Sequence, residues 1–115
     1  MELTDLPEEI QGELRLAQDA MNLGNEGKAR VCARRSVGKA FQAFGHAKGL
    51  RPGSSGMRVL DANETLKLIS VTEEFPAGVR EAARRLSASV LEKEISKRPV
   101  DDALLIIEEL FSNPQ

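Results

Sequence analysis

A chain of 115 residues and 12.6 kDa, 41% apolar and 30% charged, is able to bury a core without disulfides or metals, which excludes wholesale disorder. Aromatic side chains are only 3%, with no Trp or Tyr, so the core must come from Leu, Ile, Val and Ala; this favours helices packed on helices and leaves little for stacking nucleic-acid bases. The net charge is −2, no apolar run approaches the roughly 20 residues of a membrane span, and the acidic start is unlike a secretory signal, so a single cytoplasmic domain over residues 1–115, with its core at about 6–111 and no membrane contact, is expected.

In chain order, Asp5 followed by Leu6, Pro7 and Glu8 reads as a helix start, with Asp5 as the N-cap carboxylate and Pro in the first turn. Ile10, Leu14, Ala17 and Met21 mark one face, and the helix should stop at Leu23, where Gly24 can take the left-handed conformation. Asn25 is placed to cap the next helix at once. Helices joined so tightly must run antiparallel.

The second helix, Asn25 to Phe44, is the organising element. Ala29, Cys32, Ala33, Ser36, Val37, Ala40, Phe41 and Phe44 form a narrow apolar stripe of mostly small side chains, and Lys28, Arg30, Arg34, Arg35 and Lys39 make the other face cationic. Small residues let a neighbouring helix approach to about 8 Å. Gly38, which inside a helix costs about 1 kcal/mol relative to Ala, predicts such an approach, from within the chain or across a dimer interface. Cys32 lies on the stripe and reads as a small buried hydrophobe.

Gly45 and Gly49 interrupt the pattern, with His46 in the weakening end, and Leu50 to Arg58 has the composition of a surface loop. Asp61 with Glu64 predicts a capping box, followed by Leu66, Leu68, Ile69 and Val71 in a helix ending near Thr72. Pro76 breaks the chain. A fourth helix should begin there or at Ala77, with Val79, Ala82, Ala83, Leu86 and Val90 inward and Arg80, Arg84 and Arg85 outward. Beyond Ser89 two readings stay open: Leu91 and Ile95 continue the helix, or residues 89–98 form an irregular link. Pro99 opens a last helix with Val100, Ala103, Leu104, Ile107, Leu110 and Phe111 at core spacing, and Asp101 and Asp102 near its positive end; Ser112 to Gln115 should fray. The fold class expected is all-α, an antiparallel up-and-down bundle of four to five helices.

The charges are segregated. Before residue 27 the acids Glu2, Asp5, Glu8, Glu9, Glu13, Asp19 and Glu26 face one base, Arg15, whereas Gly27 to Leu60 carries Lys28, Arg30, Arg34, Arg35, Lys39, Lys48, Arg51 and Arg58 with no acid. Either the first two helices neutralise one another across the hairpin, or the basic segment faces an anionic partner. Arg30, Arg34, Arg35 and Lys39, then Arg80, Arg84 and Arg85, are binding candidates, because guanidinium forks take phosphate oxygens two at a time. PGSSG lacks the strand and the Lys-Ser or Lys-Thr of a phosphate loop. One His and one Cys make no zinc cluster and no nucleophile–base pair, so neither cofactor nor metal is expected.

The short polar turn Asn22 to Gly27, the Ala-rich helix ARVCARRSVGKAF from Ala29 to Phe41, EAARRL from Glu81 to Leu86, and KRPVDDALLIIEEL from Lys97 to Leu110 together resemble the HEPN family of small all-helical domains, over about Leu6 to Phe111. The resemblance implies an antiparallel bundle, frequently a homodimer, found in toxin–antitoxin systems and beside nucleotidyltransferases, whose active members cut RNA without metal. Those members use an Arg followed, after four to six intervening residues, by a His. Here His46 is the sole His, and the matching earlier positions hold Lys39, Ala40 and Phe41, so the motif is absent. The expectation is therefore a non-catalytic HEPN-like protein binding nucleotide, RNA or a partner protein such as a nucleotidyltransferase, with Arg98 and His46 joining the basic candidates. The alternatives are a degenerate metal-independent ribonuclease using Arg34, Lys39 and His46, and a purely protein-interaction module.

Overall fold

A computed structural model describes residues 3–44, 60–89, 91–92 and 94–111. The described residues form five α-helices and no strand: α1 (Glu8–Asn22), α2 (Glu26–Phe44), α3 (Ala62–Val71), α4 (Ala77–Ser87) and α5 (Pro99–Phe111), preceded by a short 3-10 turn at Leu3–Asp5. His46, the Leu50 to Arg58 loop, Val90 and Ser112 to Gln115 lie outside the described residues.

The entry to α1 differs from expectation. Asp5 ends the 3-10 turn and Pro7 occupies the N-cap position, without a side-chain cap bond. Leu6 decides this: it is buried in the core, and its amide donates to the Leu3 carbonyl at 3.1 Å, so the chain turns one step earlier than an Asp5 cap allows. The amides of Ile10 and Gln11 then close on the Pro7 carbonyl.

The α1–α2 turn forms as the sequence predicts. Gly24 has φ +79°, its amide donates to Met21 O at 3.0 Å, and the Asn25 amide reaches Ala20 O at 2.8 Å, the paired bonds of a Schellman ending. Asn25 also starts α2, its side-chain oxygen accepting from the Lys28 amide at 3.1 Å.

Helix α2 touches all four other helices. Its stripe from Ala29 to Phe41 is buried, including Cys32, while Phe44 is half-buried and meets Phe111 edge-on at 5.2 Å. Gly38 lies against the first turn of α3: an added Cβ would meet the Cα and Cβ of Ala62 at 3.4 Å. The close approach is thus made within the chain. Because that distance is ordinary contact, Gly38→Ala is expected to raise stability by up to about 1 kcal/mol through helix propensity, and Gly38→Leu to lower it by about 1–3 kcal/mol. Urea denaturation checks both; a loss in the alanine variant would mean a closer packing of α2 on α3.

Helix α3 has the full capping box, with Glu64 N to Asp61 Oδ1 at 2.8 Å and Asp61 N to Glu64 Oε1 at 3.0 Å. Its buried residues are Thr65, Leu66 and Ile69, whereas Val71, expected inward, ends the helix 72% exposed. Helix α4 buries Val79, Ala82, Ala83 and Leu86 and stops at Ser87, so the described residues among 89–98 form an irregular link and not a continuing helix. Ile95 and Ser96 anchor that link in the interior while Leu91 is exposed. In α5 the buried set is Pro99, Asp102, Ala103, Ile106, Ile107 and Leu110; Ile106 was not among the expected core positions, and Val100, Leu104 and Phe111 sit at its edge. No helix among the described residues is long and apolar enough to cross a membrane.

Candidate functional site

The cationic face of α2 is not a single surface. Its residues divide in two directions, and each destination follows from which main-chain or side-chain groups lack partners.

The last turn of α4 leaves carbonyls that no helical amide can reach. Ser87 Oγ donates to Arg84 O, the amides of Ala88 and Ser96 both donate to Arg85 O, and Arg34 closes the end from α2, giving Nε to Leu86 O at 2.7 Å and Nη2 to Ala88 O at 3.0 Å. A guanidinium here also complements the negative end of the helix dipole. Burial, and then the nearby Arg30 charge, lower the Arg34 pKa from its ordinary value. One turn earlier, Arg30 donates Nη1 to Ser96 O at 3.2 Å and lies 3.5 Å from Glu26. Arg30 and Arg34 therefore staple the α4–α5 link to α2, so these two binding candidates are engaged by main-chain carbonyls.

Arg35 and Lys39 turn the other way, towards α1. Lys39 Nζ lies 3.0 Å from Glu13 Oε2, and Arg35 Nη1 lies 4.0 Å from Glu13 Oε1. Glu13 is nearly buried, and its Oε1 has no hydrogen-bond partner among the described residues. The expected neutralisation across the hairpin is thus concentrated at Glu13; Glu8 instead pairs with Arg15 inside α1. Arg35 keeps most of its side chain in solvent.

Further candidates do converge. Arg84 and Arg85 from the end of α4, and Arg98 before α5, line one open cavity of about 520 Å³, joined by Lys97, with Ile95 as its apolar wall and Glu81, Glu94 and Asp102 as its carboxylates. Arg85, expected outward, is half-buried against Asp102, donating Nη2 to Oδ1 at 2.8 Å and Nε to Oδ2 at 3.3 Å. Ser96 Oγ donates to the same Oδ2 at 2.6 Å. Asp102 is 7% exposed, so it is a buried ion-pair partner and not merely a group near the helix dipole. The hydrogen bond to its carboxylate raises the Arg85 pKa above its ordinary value, outweighing partial burial. Among the described residues Arg84 and Arg98 make only loose contacts, to Glu94 at 4.0 Å and Asp101 at 3.9 Å, and both are well exposed.

Arg85 and Asp102 were readable as charges, but their pairing depends on the link that brings α5 beside α4. Lys97 and Ser96 were missed; the run of Lys97 and Arg98 before Pro99 was the available sign of a cationic corner. Chemically, the groove offers fixed hydrogen-bond donors. Ser96 and Ser36 hydroxyls are internally bonded, Cys32 is buried, and no cluster suited to a metal occurs among the described residues. No family model, curated protein or solved structure matches this chain.

Proposed function

We propose that this chain is a non-catalytic, HEPN-like helical binding protein whose ligand is an anion, a nucleotide or RNA, held in the groove between the end of α4 and the start of α5. The observation that carries the reading is the meeting of Arg84, Arg85, Lys97 and Arg98 on one cavity of about 520 Å³, a volume typical of small-ligand sites. The four cations come from both sides of the α4–α5 link, so their convergence exists only in the folded chain. The degenerate ribonuclease reading draws less support, because Arg34 is engaged by two carbonyls and Lys39 by Glu13.

The test is binding of labelled single-stranded RNA across a salt series. A steep loss of affinity with salt is expected, together with a further loss of about tenfold in Arg84→Gln/Arg98→Gln, equivalent to about 1.4 kcal/mol. Salt-insensitive binding, or no binding, would sink the proposal. Incubation with total RNA addresses the enzyme alternative: cleavage that disappears in His46→Ala would replace the non-catalytic reading.

A further inference from the structure

We propose that the groove recognises a compact phosphate dianion, the terminal phosphate of a phosphomonoester, on the outer edge of Arg85. The inference rests on the anion-binding reading above and narrows it to one chemical group.

Arg85 presents five N–H donors in a rigid plane. Its Nε and Nη2 are directed at Asp102, and that carboxylate is held in turn by the Ser96 hydroxyl at 2.6 Å. The plane of the guanidinium is thereby fixed before any ligand arrives. Among the described residues Nη1 makes no hydrogen bond, and the side chain is 38% exposed where it lines the cavity. Among the described residues Asp102 takes the Nε–Nη2 edge, and Glu81 acts on Arg85 through its charge without a hydrogen bond to the Nη1–Nη2 edge; two parallel N–H donors on that second edge match two oxygens of a phosphate. Lysine in the same place would give a point charge without the fork.

The rim decides between a compact group and a polymer backbone. Glu81 and Glu94 are exposed and line the same groove as the four cations. A chain bearing a phosphate on every nucleotide would run past these carboxylates and be repelled by them. A single terminal phosphate carries up to two charges on one centre, and meets Arg85 with Arg84 and Arg98 close by. Among the described residues Ile95 is the apolar lining residue and no aromatic ring lines the groove, so a base would be carried without being stacked.

One short RNA, prepared with a 5′-phosphate and with a 5′-hydroxyl, separates the possibilities, with inorganic phosphate as competitor. The phosphorylated form is expected to bind about tenfold more tightly or better, and inorganic phosphate to displace it. Arg85→Lys should abolish the difference while retaining the charge. Since that variant also loosens the contact with Asp102, the exposed pair Arg84→Gln/Arg98→Gln provides a second arm. It should weaken the phosphorylated form more than the hydroxyl form, with an unchanged circular dichroism spectrum. Equal affinity for the two RNAs overturns this inference and leaves general anion binding standing. A 5′-phosphate preference that survives both variants places the phosphate elsewhere and also overturns it. Failure of both RNAs to bind overturns both readings.

Discussion

Arg34→Ala is expected to lower the unfolding free energy by about 2–3 kcal/mol, whereas Arg35→Ala, one residue along the same helix, should cost under about 1 kcal/mol. Arg34 gives two charged hydrogen bonds, at 2.7 and 3.0 Å, to carbonyls at the end of α4. Each such bond contributes about 1.5–3 kcal/mol, and the sum is reduced by the cost of partly burying the guanidinium. Without it, Leu86 O and Ala88 O lose their donor, and of the side-chain ties from α2 to the link among the described residues that of Arg30 to Ser96 O is left. Arg34→Lys should recover little, because a single ammonium cannot span both carbonyls in the geometry of the fork. Arg35, by contrast, is 58% exposed and reaches Glu13 only at 4.0 Å. Urea denaturation of the three variants decides the matter. Equal, small losses at 34 and 35 would mean that the α4 ending holds without Arg34.

Removal of Asp102 is the second large effect. Asp102→Ala takes away both contacts to Arg85 and the acceptor of the Ser96 hydroxyl at once. Breaking a fully buried pair costs about 3–5 kcal/mol; Arg85 is more than one-third exposed and regains water, so about 2–4 kcal/mol is expected here. Asp102→Asn keeps an acceptor for Ser96 and should cost less, about 1–2 kcal/mol. The same denaturation series reads both. A loss below about 1 kcal/mol in the alanine variant would mean that Arg85 and Ser96 find other partners, and would remove the fixed guanidinium on which the phosphate inference depends.

Local rules carried the helices well. Gly24 with Asn25, Asp61 with Glu64, and Pro99 each specify an end through backbone chemistry that needs no distant partner, and each forms as expected. Asp5 failed because the burial of Leu6, a tertiary event, outweighed a local cap. The stripe of α2 was equally legible, since spacing alone determines which side chains share a face. What spacing could not reveal was the fate of its cations. Arg30 and Arg34 lie on the same helix as Arg35 and Lys39, yet their partners are carbonyls some fifty to sixty-six residues away, within a link whose course has no periodic signature. Buried Glu13 and Asp102 were hidden for the same reason: each looks like an ordinary helix-surface acid until a cation from another element meets it. The groove was therefore half legible, as Arg84, Arg85 and Arg98 without Lys97 or the Asp102–Ser96 support.

The division of the basic residues into scaffold and groove makes one comparison most direct. Two variants of equal charge change, Arg84→Gln/Arg98→Gln in the groove and Arg35→Gln/Lys39→Gln on the α1–α2 side, are titrated with the same 5′-phosphorylated RNA at one salt concentration. The groove variant is expected to lose about tenfold in affinity, and the α2 variant to change by less than about threefold, the general effect of altered net charge. Equal losses, or a larger loss on the α2 side, would contradict that division and return the binding surface to Arg35 and Lys39.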